Sequence, residues 1–432
     1  MATPNAGDIR VFQYARPWLV DPMPDRAREL WNRCEMCLAS YMHSSSKSPK
    51  VDCRHYCGDR PCTPHKREGV VCNDCRRYDP CWHRILIIKL AADGDVLRTT
   101  CLLPSLRMKY PSAHITWVTE RSAEPLLRNN PLVDRIWAPP EKFLLNLTGE
   151  QFDLVLNSDT DPSSCHLAGA ARGRRKLGFI AGAHGEPLAR GRAAECWHQM
   201  GIWDHLKQAN RKTYPTIIHE IAGVSDSGSR PLLSLTAEEI IEAQRALARK
   251  GWRPSPGRTV VGINTGAGVR WPEKSLPMET LEGVVGQLAK RKDLGRMLLF
   301  GGPSERERNQ HLSKKFGAHV VDTGTENSVR QFAALMSQAD VLLVADTLAL
   351  HVGLALRKYV VAHFGPTSPW EIDLYGFGEK IVPATDSVGC YCNGCVKTPK
   401  CNELISSTTV TEAIFRGLAA SCSAPRAAPG TP

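Results

Sequence analysis

The stretch that most constrains the fold of this chain runs from Ala339 to Gly376. Val341 to Ala345 and Tyr359 to Phe364 are apolar runs of strand length, and a helical segment lies between them. Apolar strands joined through a helix are typical of a parallel sheet that is covered on both faces. The stretch therefore predicts a βαβ unit, and with it an α/β domain.

Polar residues cluster where these two strands end. Asp346 and Thr347 lie between the first strand and the helix, His351 follows one helical turn later, and a Gly-Pro-Thr turn at 365–367 follows the second strand. Ligands of open α/β sheets bind beyond the carboxyl ends of the strands, where a helix N-terminus suits a phosphate. Taken singly, each residue is explained as well by a helix cap or a buried histidine. Together they predict an anion-binding site.

Length and composition bound the class of protein. The 432 residues are enough for two or three domains, and the hydrophobic and charged fractions, 42% and 23%, are those of an ordinary globular protein. Arg10 and Arg16 interrupt the amino end before an apolar core forms, which argues against a signal peptide. No apolar run reaches the ~18 residues that a membrane helix requires. We therefore expect a cytoplasmic protein with at most peripheral contact with the inner membrane.

The formal net charge of +11 favours anionic partners. Nucleic acid, a sugar nucleotide and the phosphorylated head of a lipid all qualify. The arginines are spread along the chain without an RNA- or DNA-binding motif, so no nucleic acid partner is expected. Charge alone does not choose between the other two.

Cysteines concentrate in the first 83 residues, which lack long apolar periodicity. Eight of the 16 cysteines lie there: Cys34, Cys37, Cys53, Cys57, Cys62, Cys72, Cys75 and Cys81. A module this small needs a metal or disulfides to be stable, and a cytosolic chain favours the metal. Two of the spacings are Cys-x-x-Cys, which lets one tight turn supply two thiolates to a tetrahedral Zn²⁺. We predict two structural zinc sites, with an iron–sulfur cluster as the alternative.

After Arg84, strands and helices alternate, which indicates a doubly wound parallel sheet. Ile85 to Leu90 is the first predicted strand, Asp93-Gly94-Asp95 follows as a turn, and Pro104 should kink or divide the next helix. Further strands are predicted at 114–119, 135–138 and 153–157. Asp95 could be a general base over the sheet edge or the cap of the helix, and spacing alone favours the cap.

Asp159-x-Asp161 is a second acidic motif in this region. Two aspartates at this spacing can carry Mg²⁺ or Mn²⁺ against a diphosphate. Pro162 and a predicted helix follow directly, so a turn and a helix cap explain the motif better.

A linker at 222–230 leads to a second α/β region. Its first helix is predicted from Thr236 to Lys250 and its first main strand from Thr259 to Asn264. The loop that follows contains Thr265, Gly266, Gly268 and Lys274, and glycines there let backbone amides approach an anion. A further strand at 296–300 leads to Glu305, which could accept hydrogen bonds from a ribose or simply occupy the first turn of a helix.

Four cysteines recur near the carboxyl end, within twelve residues: Cys390, Cys392, Cys395 and Cys401. This spacing predicts a compact thiolate site for zinc or iron that pins a loop. A last helix is predicted from Thr408 to Ala420, and it could fold back on the first sheet.

Ala339 to Gly376 resembles the donor-site core of glycosyltransferase family 9, the ADP-heptose:lipopolysaccharide heptosyltransferases and their relatives. Ile85 to Trp137 is similar to the amino-terminal domain of this family, including the Gly-Asp turn, the Pro104 helix and Pro111-x-x-x-Ile115-x-Trp117. The 152–155 and 175–179 stretches match as well. The resemblance covers residues 84–420 and leaves out the first cysteine cluster.

The resemblance implies a GT-B architecture, in which two Rossmann-like parallel-sheet domains face each other across a cleft. The implied divisions are a cysteine-rich module at 1–83, an acceptor domain at 84–228, a donor-binding domain at 229–407 that includes the cysteines at 390–401, a helix at 408–422 and a disordered tail at 423–432. The implied reaction is a metal-independent, inverting transfer of a sugar, with heptose from ADP-heptose as the expected donor and lipopolysaccharide core or a related glycan as the acceptor.

Roles for individual residues follow from the same resemblance. Asp95 would be the catalytic base, as the aspartate of that turn is in the family. In the donor half, Lys274 would hold the diphosphate with the Gly266 to Gly268 amides, Glu305 the ribose, Thr265 and Thr347 phosphate oxygens, and Asp346 and His351 the sugar. Leu348 departs from the glycine that often follows Asp-Thr, which bears on the identity of the sugar.

Two other functions stay open on the sequence. One is protein O-heptosylation, as in the related autotransporter protein heptosyltransferases, whose comparable cysteine set holds iron and supports assembly. The other is a zinc-containing protein that binds a sugar nucleotide without turning it over. Where transfer occurs, it would need no cofactor.

Overall fold

The computed structural model describes residues 48–255, 257–392 and 394–423. It divides the chain into two compact units, with the boundary between Asp79 and Pro80. The sequence placed the boundary at residue 83, and the first strand of the second unit begins at His83. Of the tail predicted at 423–432, Ser423 is the last residue of a helix, and residues 424–432 lie outside the described residues.

The described part of the first unit, residues 48–79, has little regular structure. It contains one short helix, Thr63–Glu68, and a single 3-10 turn, Cys72–Asp74. Pro64 is the buried residue of that helix. The predicted ligands Cys34 and Cys37 lie outside the described residues.

The second unit contains two six-stranded sheets, each of which defines a lobe. The strands of the first lobe are β1 His83–Ile88, β2 Ala113–Val118, β3 Arg135–Trp137, β4 Gln151–Asn157, β5 Arg172–Ala181 and β6 Pro187–Arg190. Those of the second lobe are β7 Val261–Asn264, β8 Met297–Phe300, β9 Val320–Asp322, β10 Val341–Ala345, β11 Tyr359–His363 and β12 Gly378–Ile381.

Both sheets have the same doubly wound topology. The strand orders are β3-β2-β1-β4-β5-β6 and β12-β11-β10-β7-β8-β9. Neighbours are parallel throughout, except that β6 runs antiparallel to β5. In each sheet the order reverses beside its first strand, and this crevice at the carboxyl ends is where such folds bind ligands. The predicted pair of Rossmann-like parallel-sheet lobes is confirmed.

Helices flank the sheets. In the first lobe they are Asp93–Thr99, Leu102–Lys109, Glu124–Leu127, Leu144–Gly149, Pro162–Ala170, Arg192–Ile202, Asp204–Ala209 and Tyr214–Ala222. In the second lobe they are Ala237–Arg249, Met278–Leu288, Arg306–Phe316, Val329–Met336, Leu348–Ala355 and Ser407–Ser423. Among the described residues, no helix is long and apolar enough to cross a membrane.

The apolar strands are buried on both faces. Successive side chains of a strand point to opposite faces, so Ile85 and Ile87 of β1 join one buried cluster while Leu86 and Ile88 join another. The same alternation divides β10 between the two apolar clusters of the second lobe. This two-sided burial explains why these strands are uniformly apolar in sequence.

The last helix, Ser407–Ser423, belongs to the second lobe, so the predicted return to the first sheet is wrong. Val410, Ala413 and Ile414 are buried in the same cluster as Val261 of β7 and Val361 of β11. The Cys401–Leu404 turn before the helix is attached to the second lobe, because Asn402 Nδ2 donates to the Ser275 carbonyl oxygen at 2.7 Å, so the helix starts beside this face of the second sheet. Its apolar stripe then completes the cover of that face.

The two lobes touch at several points. Arg330 of the second lobe donates to the carbonyl oxygen of Pro125 in the first lobe at 2.7 Å. It also donates to the Ser234 carbonyl oxygen at 2.7 Å and pairs with Glu239, which lies in the first turn of the second lobe's first helix. This buried guanidinium therefore ties the connecting segment to both lobes.

Candidate active site

Three loops of the second lobe meet because their strands are neighbours. β10 lies between β7 and β11, and all three are parallel, so their carboxyl ends share one edge of the sheet. The Lys274 ammonium, from the loop after β7, donates to Asp346 Oδ2 at 3.0 Å and to the Asp346 carbonyl oxygen at 2.7 Å. The Thr367 hydroxyl, from the loop after β11, donates to Asp346 Oδ2 at 2.7 Å. Asp346 is thus the centre of a polar cluster at the switch point of the sheet.

The charge of Asp346 is stabilised by its neighbours. Burial alone would raise the pKa of this carboxyl, but the Lys274 ammonium, His351 and the Thr367 hydroxyl outweigh it and lower the pKa to about 2. Thr347 occupies the N-cap position of the Leu348–Ala355 helix, and its side chain does not cap the helix. The interpretation of Asp346 and Thr347 as simple caps is therefore not what the structure shows.

His351 lies where the second lobe meets the first. It is buried, and burial together with the Arg98 guanidinium lowers its pKa to about 4, so the ring is neutral near pH 7. A Cβ built at Gly94 would lie 3.1 Å from His351 Cδ2 and 3.5 Å from Leu348 Cα. The Asp93–Thr99 helix therefore packs closely on the Leu348–Ala355 helix, and Gly94 is the residue that permits the approach.

Asp95 lies in the first turn of the Asp93–Thr99 helix, whose N-cap is Ala92. Its Oδ1 is 2.8 Å from Arg98 Nη2. Burial raises the pKa of Asp95, and the charges of Arg98, Lys89 and His351 lower it further than burial raises it, so the carboxylate is ionised. The N-cap role favoured by spacing is wrong, since the side chain points to Arg98.

Two residues of the second lobe lie close enough to Asp95 of the first lobe to change its pKa. His351 lowers the pKa of Asp95, whereas Asp346 raises it, so both residues act on Asp95 from across the cleft. Lys274 is bonded to the same Asp346. Residues predicted from two separate halves of the chain therefore form one site.

Glu305 stabilises the glycine loop after β7 through hydrogen bonds. This carboxylate is buried and accepts hydrogen bonds from the amides of Gly268 at 2.9 Å and Gly302 at 2.8 Å. A Cβ at Gly266 would lie 2.7 Å from the Glu305 side chain, and Gly268 has a left-handed φ of +70°. The Gly268 amide thus serves the loop rather than an anion, and the ribose contact predicted for Glu305 stays a prediction.

Thr265 has a structural contact in place of the predicted phosphate contact. It is 1% exposed, and its hydroxyl donates to Asn309 Oδ1 at 2.6 Å. Asn309 Nδ2 in turn donates to Asp322 Oδ1 at 3.1 Å. The chain of hydrogen bonds anchors the start of the loop to the sheet, which the sequence could not reveal because the partners are distant along the chain.

The Asp159-x-Asp161 motif is built into the first lobe, as its turn-and-cap interpretation predicted. Asp161 caps the Pro162–Ala170 helix by accepting from the Ser163 and Ser164 amides. Asp159 forms a short ion pair with the buried ammonium of Lys89. This pair lies at the switch point between β1 and β4, close enough to Asp95 for each charge to act on it.

Three residues near the site were missed. Arg98 could have been found from its i,i+3 spacing to Asp95, which suits a helical ion pair. Thr367 follows β11 and was noted only as part of a turn. Tyr214, whose ring lies 3.7 Å from the Arg98 guanidinium, has no sequence signal because it comes from the last helix of the lobe.

The carboxyl-terminal cysteines lie against the donor loops. The Cys395 amide donates to the buried carboxylate of Glu273 at 3.3 Å, next to Lys274. A Cβ at Gly365 would lie 3.0 Å from Cys401 Sγ. Burial, with the thiols of Cys390 and Cys395, raises the pKa of Cys401, so these thiols are near one another. Over 48–255, 257–392 and 394–423, no group of three or more His, Cys, Asp or Glu side chains stands ready to hold a metal ion.

Comparison with known proteins decides the family. A family model described as glycosyltransferase family 9 (heptosyltransferase) matches residues 141–404, which is more than half of the chain. The chain belongs to glycosyltransferase family 9. It is therefore a glycosyltransferase of the heptosyltransferase type. Asp95 precedes the matched residues, so its place in the site rests on the geometry described above.

Relatives of this family 9 protein agree in sequence and in fold. Lipopolysaccharide heptosyltransferase 1 of Salmonella typhimurium is 23% identical over 310 residues, which are 68% of this chain and 92% of the relative. The solved family 9 glycosyl transferase of Veillonella parvula has a TM-score of 0.62 at 22% identity and covers 79% of this chain and 98% of its own. ADP-heptose lps heptosyltransferase II of E. coli has a TM-score of 0.57 at 19% identity, covering 79% and 100%. These neighbours bear out the GT-B architecture.

Proposed function

We propose that this enzyme transfers heptose from ADP-heptose to a lipopolysaccharide core or a related lipid-linked glycan. The observation that carries the proposal is the meeting of Lys274 and Asp346 at a helix start with Asp95 from the opposite lobe. A cation and free helix amides suit a diphosphate, and a carboxylate opposite them suits an acceptor hydroxyl. The names of the relatives support heptose, ADP and lipopolysaccharide as the chemical partners.

The reaction would be a single inverting displacement. Asp95 takes the proton of the acceptor hydroxyl, the hydroxyl oxygen forms a bond to the anomeric carbon, and the bond from that carbon to the diphosphate oxygen breaks. The electron pair leaves with ADP, and its charge is stabilised by Lys274 and the amides at the start of the Leu348–Ala355 helix. The proton remains on Asp95 until solvent removes it. Contact between the lobes keeps water from competing with the acceptor.

Within the site, Asp346 would serve the sugar and also prepare Lys274. In the structure it holds the ammonium in place through two hydrogen bonds. A lysine that is already oriented loses less conformational entropy when the diphosphate arrives. His351, being neutral, can donate one hydrogen bond to a sugar hydroxyl and accept another. The proposed transfer thus requires no metal ion.

The test is transfer of radiolabelled heptose from ADP-heptose to heptose-deficient lipopolysaccharide, with freshly added chelator. We expect wild-type activity, and a loss of about 10²-fold or more in kcat for Asp95→Asn. The matched control is Asp93→Asn, because Asp93 is in the same turn but bonds the exposed Ser122 hydroxyl. Activity retained by Asp95→Asn would remove it as the base. Label in polypeptide instead of lipid would replace the acceptor, and no transfer to either would refute the function.

We also propose that Cys390, Cys392, Cys395 and Cys401 hold a structural zinc or iron ion. Their support is the spacing of the four cysteines in the sequence and the effect of the Cys390 and Cys395 thiols on the pKa of Cys401. Four thiolates would complete a tetrahedral ion that pins the loop against Glu273 and Gly365. The same proposal extends to the eight cysteines of the first 83 residues.

A further inference from the structure

The guanidinium of Arg98 makes one contact through its edge and another through its face. Arg98 follows Asp95 by one helical turn, and its Nη2 lies 2.8 Å from Asp95 Oδ1. Its face stacks on the Tyr214 ring at 3.7 Å. The side chain is 17% exposed, whereas that of Asp95 is 37% exposed. The arginine therefore has one place to lie, and the carboxylate that it holds is open to an incoming hydroxyl.

The Tyr214 ring is itself fixed by both lobes. Its hydroxyl and the Thr99 hydroxyl are 2.7 Å apart, and Thr99 Oγ1 donates to the Asp95 carbonyl oxygen at 2.6 Å. The Tyr214 amide donates to the Glu371 carbonyl oxygen of the second lobe at 2.8 Å. The orientation of Arg98 is thus set by contacts that exist when the two lobes meet.

A small cavity is lined in part by Arg98. Its walls include Arg98, Tyr214, His351, Glu371 and Tyr375. Arg98 Nε is buried with no hydrogen-bond partner among the described residues. The guanidinium is therefore placed by its ion pair with Asp95 and by the Tyr214 ring, and it sets a positive charge 2.8 Å from one carboxylate oxygen.

We propose that Arg98 is a positioning residue for the transfer: it fixes one carboxylate oxygen of Asp95 so that the other receives the proton of the acceptor hydroxyl. This inference rests on the proposed function, in which Asp95 is the base. A planar guanidinium suits the task because it binds a carboxylate oxygen in a defined direction. Reaction rates are sensitive to such placement, since a misplacement of ~1 Å costs on the order of 10²-fold.

The groups that face Asp95 set the expected pH dependence. They are Arg98 on its own helix, Lys89 after β1, Asp159 after β4, Tyr214, and His351 and Asp346 from the second lobe. Burial raises the pKa of Asp95, and Arg98 supplies the largest opposing contribution. Removal of the guanidinium charge should therefore raise the pKa of Asp95 and move the acidic limb of kcat/KM to higher pH.

The experiment compares Arg98→Met with Arg98→Lys, which keeps the charge and loses the planar fork. We expect kcat to fall by about 10- to 100-fold in Arg98→Met, with KM for donor and acceptor changed by less than about twofold. The acidic limb should shift to higher pH in Arg98→Met and return toward wild type in Arg98→Lys. Arg128→Met is the control, since Arg128 makes a similar ion pair with Glu124 at the surface of the same lobe.

The outcomes separate this inference from the function on which it rests. Wild type without transfer refutes the proposed function, whereas an active wild type with an unaffected Arg98→Met refutes only the role of Arg98. A raised acceptor KM at unchanged kcat would make Arg98 an acceptor ligand and overturn positioning. If Arg98→Met fails to fold, Arg98→Lys decides: an unshifted limb with reduced kcat supports positioning, and full activity contradicts it.

Discussion

Replacing Lys274 with methionine tests whether its ammonium binds the diphosphate of the donor. The side chains of Lys274 and Asp346 are 14% and 17% exposed, and Lys274 donates two hydrogen bonds to Asp346. A charge-assisted hydrogen bond contributes about 1.5–3 kcal/mol, so the loss of its contact with the diphosphate should raise the Kd of ADP by about 10- to 140-fold. Isothermal titration calorimetry with ADP measures this directly, without an acceptor.

The same substitution removes a partner from a largely buried carboxylate. Asp346 would keep the Thr367 hydroxyl, so we expect a loss of about 1–3 kcal/mol in the free energy of unfolding, less than for a fully buried pair. Adding Asp346→Asn removes the unpaired charge, and the double variant should recover stability without recovering ADP affinity. Lys315→Met, which loses an exposed pair with Glu282, is the control. ADP binding by Lys274→Met within about twofold of wild type would refute the reasoning.

Two further predictions concern stability and metal content. Burial, with the Arg308 charge, lowers the pKa of His363 from 6.5 to about 3. The contribution of the neutral ring to the free energy of unfolding is therefore fully present above pH 6.5 and is lost as the pH falls toward 3. When the pH is lowered from about 6.5 to 4.5, the free energy of unfolding of His363→Gln, measured with urea, should fall by about 2–3 kcal/mol less than that of the wild type. The same pH dependence in both proteins would contradict this. A Cys390→Ser, Cys395→Ser double variant should lose about one bound zinc or iron per chain, as measured by mass spectrometry, and bind ADP more weakly because the cysteine segment bonds Glu273. Cys196→Ser is the exposed control, and wild type without metal would refute the site.

Much of the fold was predictable because the central strands are apolar on both faces. β10 has the predicted bounds, Val341–Ala345, and other predicted strands differ by a few residues at their ends. The start of the second lobe's first helix was also readable, since Thr236 and Glu239 form a capping box. β5 was not found as a strand of ten residues, because its first five residues are all basic or glycine and lie at an end of the strand that is partly exposed to solvent.

The site was predictable where it depends on strand order. Residues after parallel neighbouring strands must meet, and Lys274 and Asp346 do. Hydrogen bonds between distant segments were not predictable: Thr265 with Asn309 and the Arg98 stack on Tyr214 depend on how helices pack. The last helix was misplaced for the same reason, since an apolar stripe does not say which sheet it covers.

The central claim is that one cleft holds the donor diphosphate on the second lobe opposite Asp95 on the first. A crystal structure of Asp95→Asn with ADP-heptose tests it most directly. We expect the diphosphate against Lys274 and the start of the Leu348–Ala355 helix, with the anomeric carbon facing residue 95. A donor bound elsewhere, or one whose anomeric carbon faces away from the first lobe, would contradict the account.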